Sequence, residues 1–262
     1  MKNQAQAFLE AILECPDDDA PRLIFADWLD EHGDADRAEF IRIQCALAGN
    51  DLPEQRRADF DRRQQLLLDR CGKEWARPLR RLVRSWSFHR GFIDGIVVWN
   101  DRFLDAAKRI FRRAPIRHLK IQYDPQGIAK PIAALAEIEQ LNLLHALDLS
   151  GNRLDSRHVR ALIVSDHLTR LTELDLSHNR IGDSGMRALA ESPVLSRLER
   201  LILHGNDVGP TGMRALGQSI LRLSESSEGL RLRLVDLRHN NLGAAGQRVV
   251  ADSPLLRQIV RS

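Results

Sequence analysis

From residue 144 onward, apolar residues recur as L-x-x-L-x-L-x-x-N-x-L. Leu144, Leu147, Leu149, Asn152 and Leu154 form one copy, and Leu171, Leu174, Leu176, Asn179 and Ile181 the next. Leu198, Leu201, Leu203, Asn206 and Val208 follow, then Leu232, Val235, Leu237, Asn240 and Leu242. The asparagines lie 27, 27 and 34 residues apart, and an imperfect copy (Ile116, Leu119, Ile121, Asp124) precedes Asn152 by 28. Leu-x-Leu alternation is the period of a short strand with one face buried. The asparagine falls where the chain must leave that strand, and its amide can pair with backbone groups that the turn strands. The stretches that follow, such as GDSGMRALA at 182–190, read as helix starts, with Asp183 or Ser184 as the expected N-cap. A strand, a turn and a helix cannot cover their own apolar side. Neighbouring copies must therefore stack, burying a column that includes Leu149, Leu176, Leu203 and Leu237.

Earlier in the chain the period is helical. Phe8 with Ile12, Ile24 with Trp28, and Phe40, Ile43 and Leu47 fall at helix offsets; Pro21 suits a first turn and Gly33 a break. Three short helices are expected over 7–48. Phe60, Leu67, Cys71, Trp75, Leu79, Val83 and Trp86 continue as helix faces, with breaks at Gly72 and Pro78. HRGFIDGIVVW at 89–99 reads as a strand, and NDRFLDAAKRIFRRAP as a helix ended by Pro115. Terminal repeats must be atypical, because an exposed leucine column aggregates. Residues 1–90 are expected to cap one end, and a helix over 245–260, using Val249, Val250, Leu255, Leu256 and Ile259, the other.

The 144–242 copies resemble the leucine-rich repeat family, and their period, with a helix per repeat, is similar to the ribonuclease-inhibitor-like subclass. The resemblance implies an α/β solenoid with a parallel sheet on the concave face and helices on the convex one. The glycine column Gly185, Gly212 and Gly246 fits closely packed helices, with His158 in that place in the first good copy. Residues 7–48 also look like the bacterial repeat-companion domain, carried by AIL at 11–13, PDDDAPRLIFADWLDE at 16–31, GD at 33–34 and EFIRIQCAL at 39–47. Ala38 stands where that family has glycine. The resulting division is 1–50 helical companion domain, 51–90 helical connector and 91–262 repeat domain, regular from about 141.

Net charge is only +3, but it is segregated: residues 1–55 carry −9 and residues 56–118 carry +10. That basic block admits a nucleic-acid reading. Of the 39 basic residues 34 are arginine throughout the chain, so the preference is also compositional. No apolar run approaches the ~20 residues that span a bilayer, and the N-terminal stretch lacks the pattern of a secretory signal. The expectation is a cytoplasmic protein without a membrane role. Cys15, Cys45 and Cys71 form no C-x-x-C pair and are read as buried free thiols.

Chemistry is sparse. Zincin, Walker, nucleophile-elbow and dinucleotide motifs are absent. Asp34 and Asp36 match the first positions of a calcium loop, but Ala38, Glu39 and Cys45 occupy its later ones. No cofactor, metal or catalytic residue is expected. Repeated Asp148, Asp175 and Asp236 are read as structural, and Met186 and Met213 as filler. His178, His204 and His239 fall close enough in the repeats to lie about 5 Å apart between neighbouring strands. The residues between the inward leucines would form the partner surface: Arg117, Lys120, Tyr123, His145, Glu173, His178, Arg200, His204, Arg233, Arg238 and His239. Five or six strands at ~4.8 Å give a face roughly 25 Å wide, enough for the ~800 Å² of an ordinary interface. The expectation is a non-catalytic protein-interaction module. Nucleic-acid binding by 56–118, or inhibition of a nuclease or toxin by analogy with ribonuclease inhibitor, are the alternatives. The extra residues at 221–230 are expected to form a loop.

Overall fold

The structure, a computed structural model, describes residues 2–49, 51–124, 132–226 and 229–262. They fall into two compact units, Met1–Val97 with Ala106–Ile116, and Val98–Asp105 with Arg117–Ser262.

The first unit opens with the three expected helices, α1 (Lys2–Glu14), α2 (Ala20–Glu31) and α3 (Ala35–Ala48). Pro21 sits in the first turn of α2, and Gly33 leaves it at φ +84°. The buried side of α2 differs from the expected one. Arg22, Ala26 and Leu29 face inward, while Ile24 is 57% exposed. Arg22 takes the slot because its guanidinium donates to the carbonyls of Pro16 (2.8 Å) and Asp18 (2.6 Å), satisfying a buried cation. Ile12, Ala26, Leu29, Ile41 and Phe92 form one apolar cluster; Phe40, Ile43 and Leu67, with Trp75 and Phe88 against them, form another. The Arg37 guanidinium lies over the rings of Trp75 (4.8 Å), Phe92 (5.3 Å), Phe40 (5.6 Å) and Phe88 (5.7 Å). It belongs to both clusters, and burial pulls its pKa down to about 10, still charged at neutral pH.

Helix α4 (Glu54–Trp75) runs through Gly72 without a break, and 85–89 is not helical. Strand β1 (Ser85–His89) pairs antiparallel with β2 (Phe92–Trp99), so Trp86 belongs to a hairpin. The two-residue turn puts Arg90 at φ +49° and Gly91 at φ +81°, the left-handed pair that suits a tight hairpin. A Cβ on Gly91 would stand 2.6 Å from Ile41 Cγ1 and 2.8 Å from Ile41 Cα, so only glycine fits. Its N–H donates to Gln44 Oε1 at 2.8 Å, and Arg90 donates to the Asp17 carbonyl at 2.5 Å. The hairpin tip is thereby fastened to the helices. Helix α5 (Asn100–Phe111) follows.

The second unit is built on parallel pairing. Strands β3 (His118–Gln122), β4 (Ala146–Asp148), β5 (Glu173–Asp175), β6 (Arg200–Ile202), β7 (Leu234–Asp236) and β8 (Val260–Arg261) pair in chain order. Leu119, Leu147, Leu174, Leu201, Val235 and Val260 share one register row and are buried. Leu149, Leu176, Leu203 and Leu237, two residues on from that row, are at most 1% exposed. Helices α6 (Ser156–Ile163), α7 (Gly182–Ala190), α8 (Pro193–Arg197), α9 (Pro210–Glu225), α10 (Gly243–Ala251) and α11 (Pro254–Ile259) connect the later strands.

Each asparagine binds two repeats together. Asn179 Nδ2 donates to its own Leu176 carbonyl (2.8 Å) and to the Leu149 carbonyl of the preceding repeat (3.0 Å), while Oδ1 accepts from Leu154 N–H (2.9 Å). Asn206 repeats this with Leu203, Leu176 and Ile181, and Asn240 with Leu237, Leu203 and Val208. Asn152 donates to Ile121 O at 2.7 Å, back into the imperfect copy. The repeated aspartates are structural too: Asp148, Asp175 and Asp236 accept from the N–H two residues on, at 2.9, 2.8 and 3.1 Å.

Four local expectations change. Helix α7 starts at Gly182, so neither Asp183 nor Ser184 is its N-cap. The extra residues from Leu221 onward begin as helix, making α9 16 residues long against 9 in α7; Ser227 and Glu228 lie outside the described residues. The 245–260 segment is two helices and a strand, interrupted at Asp252–Ser253, where Ser253 Oγ accepts from Leu256 N–H and Pro254 begins the second helix. Of the three free thiols Cys45 is buried, Cys71 half-buried and Cys15 exposed at the end of α1.

The glycine column packs closely, as expected. A Cβ on Gly212 would lie 3.1 Å from Asp183 Cα, and one on Gly246 3.4 Å from Pro210 Cα. Helix α6, with His158 in that place, packs on α7 and on a short 3-10 helix (Ile132–Glu137). The His158 imidazole folds back on its own helix end, its Nδ1 2.7 Å from Asp155, the N-cap of α6.

Candidate functional site

The side of the parallel strands away from the leucine rows carries the candidate residues. Two register rows define it: His118, Ala146, Glu173, Arg200 and Leu234, then Lys120, Asp148, Asp175, Ile202, Asp236 and Arg261. Two residues farther on, Ser150, Ser177, His204 and Arg238 begin the turns. Most of these side chains are exposed or half-exposed.

The ionic groups on this face are paired along and across strands. Lys120 Nζ reaches Asp148 at 2.6 Å and Ser150 Oγ at 3.2 Å. Arg200 and Glu173 approach to 3.4 Å, and at the strand-entry edge Arg233 and Glu199 approach to 4.0 Å. Arg238 lies against Asp236, Nη2 to Oδ2 at 2.6 Å, holding that carboxyl below the usual range despite some burial. Asp175, at the centre of its row, has no ion pair within 4 Å among the described residues, and Ile202 stands next to it. The face is thus a polar surface whose ionic groups are mostly paired, with one acid and one aliphatic side chain at its middle and Arg261 exposed at the end of the row.

Arg117 is not part of it. Its side chain is 8% exposed, and its carbonyl accepts from His145 and Ala146 N–H groups. The residue precedes β3, where the alternation sends it away from the open side. His145 is half-buried at the same strand-entry edge, in the hydrogen-bonded series Arg117, His145, Thr172, Glu199, Arg233. Tyr123 is half-buried under the Arg153 guanidinium, 4.7 Å from its ring. The three turn histidines come together: His178 and His204 ring centroids are 4.7 Å apart, and His204 and His239 4.5 Å. Burial, and then its two neighbours, lower the His204 pKa from 6.5. Among the described residues no group of three or more His, Cys, Asp or Glu side chains is placed to hold a metal ion.

In the sequence Asp175 reads only as a structural member of the repeat consensus, and the polar spacing does not point to Ile202 or Arg153. Ile202 carried a signal, since LIL at 201–203 breaks the LDL of the two copies before it.

The charge segregation has a local explanation within the first unit. Arg63 makes a two-pronged pair with Glu39 (2.7 and 2.6 Å), Arg70 pairs with Asp36, and Arg42 reaches Asp27 and Asp30. Arg62 and Arg77 pair with Asp59 and Glu74, and Arg57 donates to the carbonyls of Leu47 and Gly49. Acidic helices and the basic helix complement one another. No helix among the described residues is long and apolar enough to cross a membrane.

A family model described as Leucine Rich repeat matches residues 167–190 and 196–217, the two copies centred on Asn179 and Asn206. No curated protein matches the chain.

Proposed function

We propose that this chain, which carries leucine-rich repeats, is a non-catalytic protein-interaction module with a helical N-terminal segment and a short ribonuclease-inhibitor-like solenoid. Its concave sheet face grips a protein partner. Such repeats commonly mediate protein–protein contacts, and the open, charge-balanced face around Asp175 and Ile202 is the observation that carries the reading here. Polar groups already paired within the face are held in fixed geometry, so docking orders few side chains and loses little entropy. Arg200, Arg238 and Tyr123 are the residue types in which interface energy concentrates. The three-helix arrangement of 2–48 supports the companion-domain reading of the N-terminal segment.

Nucleic-acid binding through 56–118 is the weaker reading, because several α4 arginines already have carboxylate or carbonyl partners and less charge is left for phosphate. Inhibition of a nuclease or toxin rests on analogy of fold alone. The test is affinity capture from the native host with wild-type chain, with Glu173→Arg/Arg200→Asp on the face, and with Arg214→Glu on the exposed side of α9. The expected result is one protein recovered by wild type and Arg214→Glu but lost with the face variant. Recovery of nucleic acid alone, or equal recovery by all three chains, would overturn the proposal.

A further inference from the structure

Three imidazoles from successive repeats meet where the strands enter their turns. His204 lies between His178 and His239, each pair edge to face. The backbone explains their proximity: His178 N–H donates to the His204 carbonyl (2.8 Å) and Gly205 N–H to the Arg238 carbonyl (3.1 Å). The turn position occupied by His178 and His239 is filled by glycine in the other two copies. Gly151, His178, Gly205 and His239 all adopt left-handed backbone, at φ +67°, +55°, +64° and +56°. Glycine adopts this conformation freely and histidine does so against a steric penalty. The turn therefore does not require the imidazoles. Strain of this kind, held in place by its surroundings, concentrates at functional positions.

The charges around the cluster define its chemistry. Arg238 and the flanking imidazoles repel a proton on His204, and Asp236 attracts one. Asp236 is itself engaged by Arg238 through both Nε and Nη2, so it offsets little of that repulsion. Arg153 and Arg180 lie exposed two residues beyond Gly151 and His178, while the equivalent positions after Gly205 and His239 are Asp207 and Asn241. At neutral pH the edge is modestly basic. The carboxylates nearby are Asp236, already engaged by Arg238, and Asp207.

We infer that this histidine edge receives a carboxylate-rich segment of the protein partner, and that docking there is coupled to proton uptake. The inference rests on the open face being the binding surface and names the partner chemistry at its edge. A carboxylate placed beside the imidazoles offsets the burial and the neighbouring positive charge that disfavour a proton on His204, so protonation and binding favour each other. The affinity rises as pH falls through the histidine range, while the glutamates of the ligand stay ionised.

Fluorescence anisotropy of the full chain with a labelled oligoglutamate peptide tests this directly, at pH 7.5 and pH 5.5. Oligolysine and a single-stranded DNA oligonucleotide serve as comparison arms. The expected result is a several-fold gain in oligoglutamate affinity at the lower pH, the ceiling being about tenfold for a single imidazole whose pKa rises by one unit on binding. The gain is lost in His178→Gly/His204→Ser/His239→Gly, which carries the residues found at equivalent places in neighbouring copies (Gly151, Ser177, Gly205), and is reduced in His204→Ser alone. An equal gain in the triple variant, no oligoglutamate binding at pH 5.5, preference for oligolysine, or DNA binding with the same histidine-dependent pH response would each overturn the inference. None of these outcomes would alter recovery of a partner by the face, so the two readings fail separately.

Discussion

Asp183 caps the helix of the next repeat instead of its own: its Oδ1 accepts the Gly209 N–H at 2.6 Å, and the Gly212 N–H at 2.9 Å. Gly209 is the N-cap position of α9 and offers no side chain, so a carboxylate 26 residues earlier satisfies the free donors and complements the positive end of the helix. Asp183→Ala is expected to lower stability by about 1–2 kcal/mol, the usual loss of an N-cap. Urea unfolding measures it. No change would mean that water caps α9 equally well.

Gly212 lies where α9 presses on that same aspartate. A Cβ there would stand 2.7 Å from Asp183 Oδ1 and 3.1 Å from Asp183 Cα. Gly212→Ala should therefore destabilise by roughly 1–3 kcal/mol, despite alanine's better helix propensity. Combined with Asp183→Ala, the two losses should sum to less than their separate values, because the substitutions share one contact.

The asparagine ladder predicts a gradient. Asn206 is fully buried and Asn240 is half-buried at the later end. Asn206→Ala should cost about 1–3 kcal/mol by taking the acceptor from the buried Ile181 N–H and leaving the Leu176 and Leu203 carbonyls with one asparagine donor each, and Asn240→Ala measurably less. Equal losses in chemical denaturation would contradict the burial difference.

The histidine cluster also leaves a mark on stability. The folded-state pKa of His204 lies below its unfolded value of 6.5, so the unfolded chain binds the proton more readily. The stabilisation of neutral His204 is complete above pH 6.5 and is lost as pH falls through 6.5 towards the lowered value. His204→Ser should flatten the stability profile between about pH 7 and pH 5. A profile as steep as that of the wild type would assign the slope to other groups.

The two extreme cysteines should differ in reactivity. Burial, with Asp19 nearby, pushes the Cys45 thiol up to about 12, whereas Cys15 is exposed. A thiol reagent at about pH 8 should label Cys15 in the native protein and Cys45 only after unfolding. Rapid native labelling of Cys45, read by mass spectrometry, would contradict its packing.

The repeats were legible because their signal is local and periodic: a leucine two residues from another leucine, and an asparagine three residues later, fix strand, turn and buried side at once. What stayed hidden depends on neighbours distant in sequence. Asp183 looked like the cap of its own helix because sequence gives no view of the Gly209 N–H beside it. Arg22 was not expected inside, since only folding brings the Pro16 and Asp18 carbonyls to its guanidinium. The charge blocks invited a nucleic-acid reading until α3 and α4 placed Glu39 against Arg63. On the open face, Arg117 was counted as surface because the polar spacing was right while the start of β3 was not known. Ile202 was passed over because it sat inside a consensus built from aspartates.

The protein-binding face is tested most directly by site-specific photo-crosslinking in the native host, with benzoylphenylalanine at position 202 on the open face and, separately, at position 214 on the exposed side of α9. The account predicts a discrete crosslinked protein from position 202, competed away by unlabelled wild-type chain, and none from position 214. A specific adduct from position 214 with none from position 202 would contradict it.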